Sequence, residues 1–153
     1  MSGIIAGFRE QSFFENLRKT LIGKCRTSFV ESSCDAGSEK QAVTLDGEGV
    51  VEAINVVFWG SSADVKHSRI VLESDGDRSE LASPYEVGEV QMLEYGRWSQ
   101  RMFLHKWDDA NFAYGCYLEV SHGFKNGCVV KIKNGDHTNS VSFRVLILWR
   151  KLM

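Results

Sequence analysis

The chain has 153 residues, of which 43% are hydrophobic and 11% are aromatic, and this composition excludes a disordered chain. A chain of this length fits one domain that can bury a substantial core without disulfides or metals. Eighteen basic and twenty acidic side chains give a net charge of -2, so we expect no bulk attraction to nucleic acid. Charged residues interrupt any signal-peptide core in the first 24 positions, and no run of 18 apolar residues predicts a membrane span.

Residues 1–23 predict a helical arm ahead of the main domain. Apolar side chains recur near helical spacing from Phe8 to Leu21, and Gly23 is a typical helix end. Two placements stay open, because the arm can pack on its own domain or reach a neighbouring subunit. The contacts predicted for an arm at an interface are Phe8, Phe13, Phe14 and Leu17.

From Cys25 onward, the apolar pattern has the period of two that is typical of β-strands. An edge strand is predicted at 26–33, and further strands at 42–45, 50–59, 69–74 and 78–82. The residues Asp75-Gly76-Asp77 indicate a hairpin between the last two of these strands. Ser83, Pro84 and Glu86 then match the start of a helix, predicted to run to Met92.

Residues 95–113 predict an irregular stretch that is rich in aromatic side chains. Exposed Trp and Arg side chains are favoured at protein interfaces and on sugar-stacking surfaces. The binding residues predicted on this basis are Tyr95, Trp98, Arg101 and Trp107. The alternative is that these aromatic side chains fill one end of a sandwich.

Three more strands, at 114–120, 128–133 and 140–149, complete the chain, and the last of them is almost continuously apolar. Seven or eight short strands separated by Gly-rich and Asn-rich turns are typical of an all-β jelly roll or β-sandwich. We therefore predict a helical arm at 1–23 and a jelly-roll domain at 24–153, with one short inserted helix.

The sequence carries no recognisable catalytic or metal-binding motif. Its four histidines form no metal-binding spacing, and its four cysteines match neither a zinc site nor a redox pair. Buried or free thiols are expected, and a bridge between Cys116 and Cys128 across the turn at 121–127 stays open. No enzyme activity, catalytic residue, metal or cofactor is predicted.

Charge is distributed unevenly along the chain. Residues 73–94 are mostly acidic, and residues 121–153 are mostly basic. If the two segments lie on different faces, they can pair between identical subunits. The alternative is that both are ordinary solvated loops.

The stretch 28–83 carries a resemblance to known domains. "SFVESS" is followed by "VTLDGEGVVEAINVVFWG" and then by "SRIVLESDGDRSELASPYEV". This succession resembles the opening of jelly-roll domains in many phage virion proteins, and also the half-modules of jelly-roll glycoside hydrolases built from two rolls. The hydrolases need a second roll and acidic catalytic residues that have no counterpart here.

The resemblance implies a single jelly roll that assembles as a capsid, cement, fibre or tail component. We accordingly predict a non-enzymatic virion protein, made in the host cytoplasm, whose partners are its own copies and other virion proteins. The alternative is a carbohydrate-binding module that holds a glycan on Trp98 and Trp107. A membrane partner is not expected, and neither is nucleic acid.

Overall fold

The computed structural model describes residues 24–90 and 102–152, which form nine β-strands. The predicted arm at 1–23 lies outside the described residues, so the arm and its interface contacts stay predictions. The strands are β1 Lys24–Cys34, β2 Glu39–Leu45, β3 Gly49–Gly60, β4 Arg69–Ser74, β5 Asp77–Glu80, β6 Met102–Asp108, β7 Ala113–Phe124, β8 Cys128–Lys133 and β9 Val141–Lys151. A 3-10 helix, Ala63–His67, and a π-helical turn, Glu86–Val90, lie between strands.

The strands form two antiparallel sheets in jelly-roll order. The larger sheet has the order β1-β9-β3-β7-β6, and the smaller sheet has the order β2-β8-β4-β5. Eight strands divide four and four while the chain crosses repeatedly between the sheets, which is the jelly-roll arrangement. β6 adds a fifth strand beside β7. The predicted all-β jelly-roll fold is confirmed.

The core lies between the sheets and is made by alternate residues of each strand. In β9, Val141, Phe143, Val145 and Ile147 are fully buried, while Leu146 between them is only partly buried. The apolar run of β9 therefore contributes side chains both to the core and to the outer face of the sheet, because successive side chains of a strand point to opposite sides.

Two local signatures in the sequence are confirmed. Asp75 and Gly76 have φ values of 50° and 82°, as a two-residue turn between β4 and β5 requires. The Ser83 hydroxyl accepts a hydrogen bond from the Glu86 backbone N–H at 3.3 Å, and the Ser83 backbone N–H donates to the Glu86 carboxylate at 3.4 Å. The helix that they start is π-helical over Glu86–Val90, and the residues just beyond it are not among those described.

The prediction of an irregular stretch was wrong for residues 102–108, which form β6. Met102, Leu104 and Trp107 pack against the core, and Phe103 is exposed. The register of β6 against β7 shifts between Leu104 and Lys106. This bulge interrupts the period of two, so the sequence pattern does not reveal the strand.

The bridge considered between Cys116 and Cys128 is wrong, because both cysteines are free. β7 continues to Phe124 and β8 belongs to the other sheet, so residues 125–127 cross between the sheets and do not close a hairpin. Burial raises the pKa of the Cys116 thiol to about 12 and that of the Cys128 thiol to about 11.

Thiol accessibility therefore gives a first prediction. Cys25 is exposed, while Cys34, Cys116 and Cys128 are buried. We expect the native protein to react rapidly with Ellman's reagent at one thiol and the unfolded protein at four. Substituting Cys25→Ser should abolish the rapid phase. A rapid phase that persists in this variant would contradict the described core.

Candidate assembly surface

The outer face of the four-stranded sheet is a network of paired charges, which we call the charged face. Arg78 contacts the carboxylates of Glu73 at 2.9 Å and Glu80 at 3.0 Å, and it also pairs with Glu39. Further ion pairs join Lys131 to Glu73 at 2.9 Å and Lys133 to Glu80 at 3.0 Å. The members of the charged face are Glu39, Glu73, Arg78, Glu80, Lys131 and Lys133.

These contacts hold the carboxylates in their ionised form. A hydrogen bond from Arg78 lowers the pKa of Glu39, and hydrogen bonds from Lys131 and Lys133 lower the pKa values of Glu73 and Glu80. Each of these carboxylates therefore already has a cationic partner within the chain.

The charged face also shows that acidic and basic segments of the sequence pair within one chain, where pairing between subunits was one expectation. The acidic segment 73–94 and the basic segment 121–153 were considered as partners between subunits. Their members Glu73 and Lys131 instead pair within one chain, as do Glu80 and Lys133, because β4 and β5 lie beside β8 in the same sheet.

The outer face of the five-stranded sheet is different, because a row of side chains that crosses its five strands is apolar on every strand except β3, where the member is Asn55. The register of the strands places Phe29 opposite Leu146, Leu146 opposite Asn55, Asn55 opposite Tyr117, and Tyr117 opposite Phe103. We call these five residues the apolar row. Phe103 and Tyr117 stack with their ring centroids 4.9 Å apart.

The two ends of the apolar row are its most exposed side chains. Phe29 on β1 is 61% exposed and Phe103 on β6 is 54% exposed, and they are the large hydrophobic side chains exposed among the described residues. Single exposed apolar residues are ordinary, whereas exposed aromatic side chains grouped with other apolar residues make this face a candidate for contact with another molecule.

A shallow depression lies beside the apolar row. It is lined by Val57, Trp59, Lys106, Ala113 and Arg144. The guanidinium of Arg144 lies 5.3 Å from the centre of the Trp59 ring, and its Nε donates to Glu31 at 3.0 Å. Arginine and tryptophan are enriched in the centres of protein interfaces, so the depression extends the candidate surface.

Trp107 is the one predicted binding residue within the described part of the chain. Its ring meets Tyr114 edge-on at 4.8 Å, Lys66 lies 5.6 Å from its centre, and its Nε1 donates to Asp109 at 3.2 Å. The ring is thus partly buried against the core. Tyr95, Trp98 and Arg101 lie outside the described residues, so their binding role stays a prediction.

The polar groups within the described residues mostly stabilise turns and loops. Asp75 accepts hydrogen bonds from the backbone N–H groups of Lys125 and Asn126, at 2.9 and 3.0 Å. Ser74 and His122 lie 2.7 Å apart and connect the two sheets. Over residues 24–90 and 102–152, no group of three His, Cys, Asp or Glu side chains is placed to hold a metal, and no helix is long and apolar enough to cross a bilayer.

The comparisons with known proteins give structural similarity without sequence similarity. No family model matches the chain, and no curated protein matches it. Among solved structures, it is similar to a chain of the cyanophage Pam1 capsid at 10% identity and a TM-score of 0.46, covering 84% of this chain and 86% of that one. It is also similar to a chain of the acid-stable capsid of Helicobacter pylori bacteriophage KHP30, at 7% identity and a TM-score of 0.45, covering 83% and 91%.

A third similar structure is the SPBc2 prophage-derived protein YomS, at 11% identity and a TM-score of 0.42, covering 82% of this chain and 95% of that one. Phage capsid chains are thus among the structures that this chain is similar to.

The apolar row is the feature that analysis of the sequence missed. A usable signal was present, because Phe29, Phe103 and Tyr117 each stand at a position whose immediate neighbours face the core. The sequence does not show that these positions align, since alignment depends on the register of strands that are far apart in the chain.

Proposed function

We propose that this chain is a non-enzymatic structural protein of a virion, as a capsid, cement, fibre or tail component, and that it self-assembles through its jelly roll. The observation that carries the proposal is the contrast between the two outer faces. Paired charges dominate the outer face of the four-stranded sheet, while the outer face of the five-stranded sheet carries the apolar row beside the ion pairs Arg144–Glu31 and Arg150–Glu52.

This contrast supports assembly for an energetic reason. Covering apolar surface stabilises a complex by about 25 cal/mol per Å² removed from water. Covering the charged face would instead remove ionised groups from water without improving their pairing. A neighbouring protein is therefore expected on the five-stranded sheet. The virion setting rests on the resemblance of residues 28–83 to phage virion jelly rolls.

A pair of lysine substitutions tests the assembly surface. Leu146→Lys places a charge in the apolar row beside Phe29, and Thr44→Lys places the same charge at an exposed position of the four-stranded sheet. We expect the full chain to form a defined oligomer in sedimentation equilibrium. Leu146→Lys should raise its dissociation constant at least about tenfold, because an unpaired charge in a covered apolar surface costs about 1.4 kcal/mol or more.

Thr44→Lys should leave the dissociation constant unchanged, and far-UV circular dichroism should show that both variants are folded. Removing residues 1–23 should also lower the solution mass if the predicted arm reaches a neighbouring subunit. A full chain that stays monomeric at every concentration would contradict the proposal.

A further inference from the structure

The four sheet edges of the jelly roll are not equally protected against pairing with another chain. Proteins protect exposed edges with short strands, bulges and charged side chains. β5 has only four residues, and its sequence is DRSE. β2 and β6 each contain a register shift, and their edges carry charges such as Lys40 and Lys106. These three edges are therefore protected.

β1 is the exception. It has eleven residues, pairs with β9 from Lys24 to Cys34 without a register shift, and contains no proline. Its central residues, Thr27, Ser28, Phe29 and Val30, are uncharged, and three of them are β-branched or aromatic residues that favour strands. β1 is also the outermost strand of its sheet, so one side of its backbone faces away from β9.

The end of this edge is already covered within the chain. The Lys40 ammonium donates to the Ser33 carbonyl at 3.0 Å and to the Ser32 hydroxyl at 2.9 Å. Among the residues that the structure describes, this contact leaves the section from Cys25 to Glu31 as the long uncovered part of the edge, with Arg26 and Glu31 as its charged side chains. Phe29, the most exposed large hydrophobic side chain among the described residues, lies within it.

We propose that β1 pairs with β1 of a second copy of this chain, antiparallel and about a two-fold axis near Ser28. This inference rests on the proposed assembly function and names the first contact within it. An antiparallel edge is complementary to itself, because a two-fold axis brings the same seven residues of each copy opposite one another. The pairing joins two five-stranded sheets into one of ten strands.

The side chains of the section are compatible with this pairing. A centre at Ser28 places Thr27 opposite Phe29 of the other copy, and Cys25 opposite Glu31. No two like charges face each other across the new ladder. The apolar rows of the two copies then meet at their Phe29 ends, so one longer apolar surface crosses both subunits.

Two matched substitutions test whether the β1 edge or the outer face of the five-stranded sheet carries the dimer contact. Phe29→Lys and Phe103→Lys each place a charge at one exposed end of the same apolar row, on β1 and β6 respectively. Both side chains are more than half exposed, so both variants should fold. We expect Phe29→Lys to raise the dimer dissociation constant at least about tenfold, and Phe103→Lys, at the opposite edge of the sheet from β1, to raise it by a clearly smaller factor.

A distance measurement on the unsubstituted chain provides a second readout. A spin label on the exposed thiol of Cys25 reports the spacing of the two β1 strands. The proposed pairing places the two Cys25 residues six positions apart along the ladder, which is about 20 Å. We expect pulsed electron paramagnetic resonance to give a distribution of label-to-label distances centred within about 10 Å of that value, allowing for the length of the labels.

The possible outcomes separate this inference from the assembly proposal. Association that is weakened by Phe103→Lys but not by Phe29→Lys, or a label distance beyond about 40 Å, would overturn the β1 pairing while self-assembly stands. Association that both variants weaken equally would also overturn it, because the face and not the edge would then carry the contact. A monomeric full chain would overturn both.

Discussion

Substituting Phe143→Ala should lower the free energy of unfolding by about 4 kcal/mol, the largest effect that we expect of a single core change. Phe143 is fully buried on β9 and lies opposite Phe58 of β3, the central strand of the five-stranded sheet. Removing its ring eliminates buried apolar area and leaves a cavity that two hydrogen-bonded sheets cannot close. Urea denaturation followed by tryptophan fluorescence measures the loss.

Phe103→Ala is the matched control for this substitution. Phe103 is the same residue type, and it is 54% exposed on the outer face of β6. Its removal should cost less than about 1 kcal/mol, mostly through the lost stacking on Tyr117. Similar losses in the two variants would show that the core does not lie between the sheets as described.

Asp136→Asn should cost about 2–3 kcal/mol of unfolding free energy, because a buried carboxylate organises the loop between β8 and β9. Its two oxygens accept hydrogen bonds from the Ser62 hydroxyl at 2.8 Å and from the backbone N–H groups of Thr138 and Asn139 at 2.9 and 3.0 Å. The side-chain NH₂ of an asparagine at this position would face one of these hydrogen-bond donors, so that hydrogen bond would be lost. Asp108→Asn, at an exposed turn, should cost less.

The same contacts make stability depend on pH with a definite sign. Burial opposes ionisation of Asp136, but the hydrogen bonds from Thr138, Ser62 and Asn139 outweigh it and hold the pKa well below its usual range. A carboxyl with a lowered folded pKa contributes stability that is present above its unfolded pKa, about 3.9, and is lost as the pH falls below that value.

We therefore expect the difference in unfolding free energy between the parent chain and Asp136→Asn to shrink as the pH is lowered from 5 to about 2. Denaturant titrations at several pH values measure this difference. A gap that stays constant over the range would show that Asp136 is not held as a carboxylate. The carboxyls of the charged face also have lowered pKa values, so the stability of the parent chain alone depends on pH for several reasons. The difference between the parent chain and Asp136→Asn isolates the contribution of Asp136.

Part of the assembly surface could be predicted from the sequence and part could not. The alternation of residues 26–33 predicted an edge strand, and β1 is an edge strand. The exposure of Phe29 follows from the same alternation once the core-facing positions are known. That Phe29 forms one line with Tyr117 and Phe103 could not be predicted, because the line depends on four strand pairings, three of them between distant segments.

By itself, the sequence determined the approximate positions of every described strand except β6, the turn at Asp75-Gly76 and the helix start at Ser83, because each depends on local backbone preferences. The tertiary structure alone decided which half of the apolar residues of β9 faces outward, where β6 forms despite its bulge, and how the acidic and basic segments pair within one chain. These features depend on which strands become neighbours, and neighbouring strands are selected by packing between sheets rather than by local pattern.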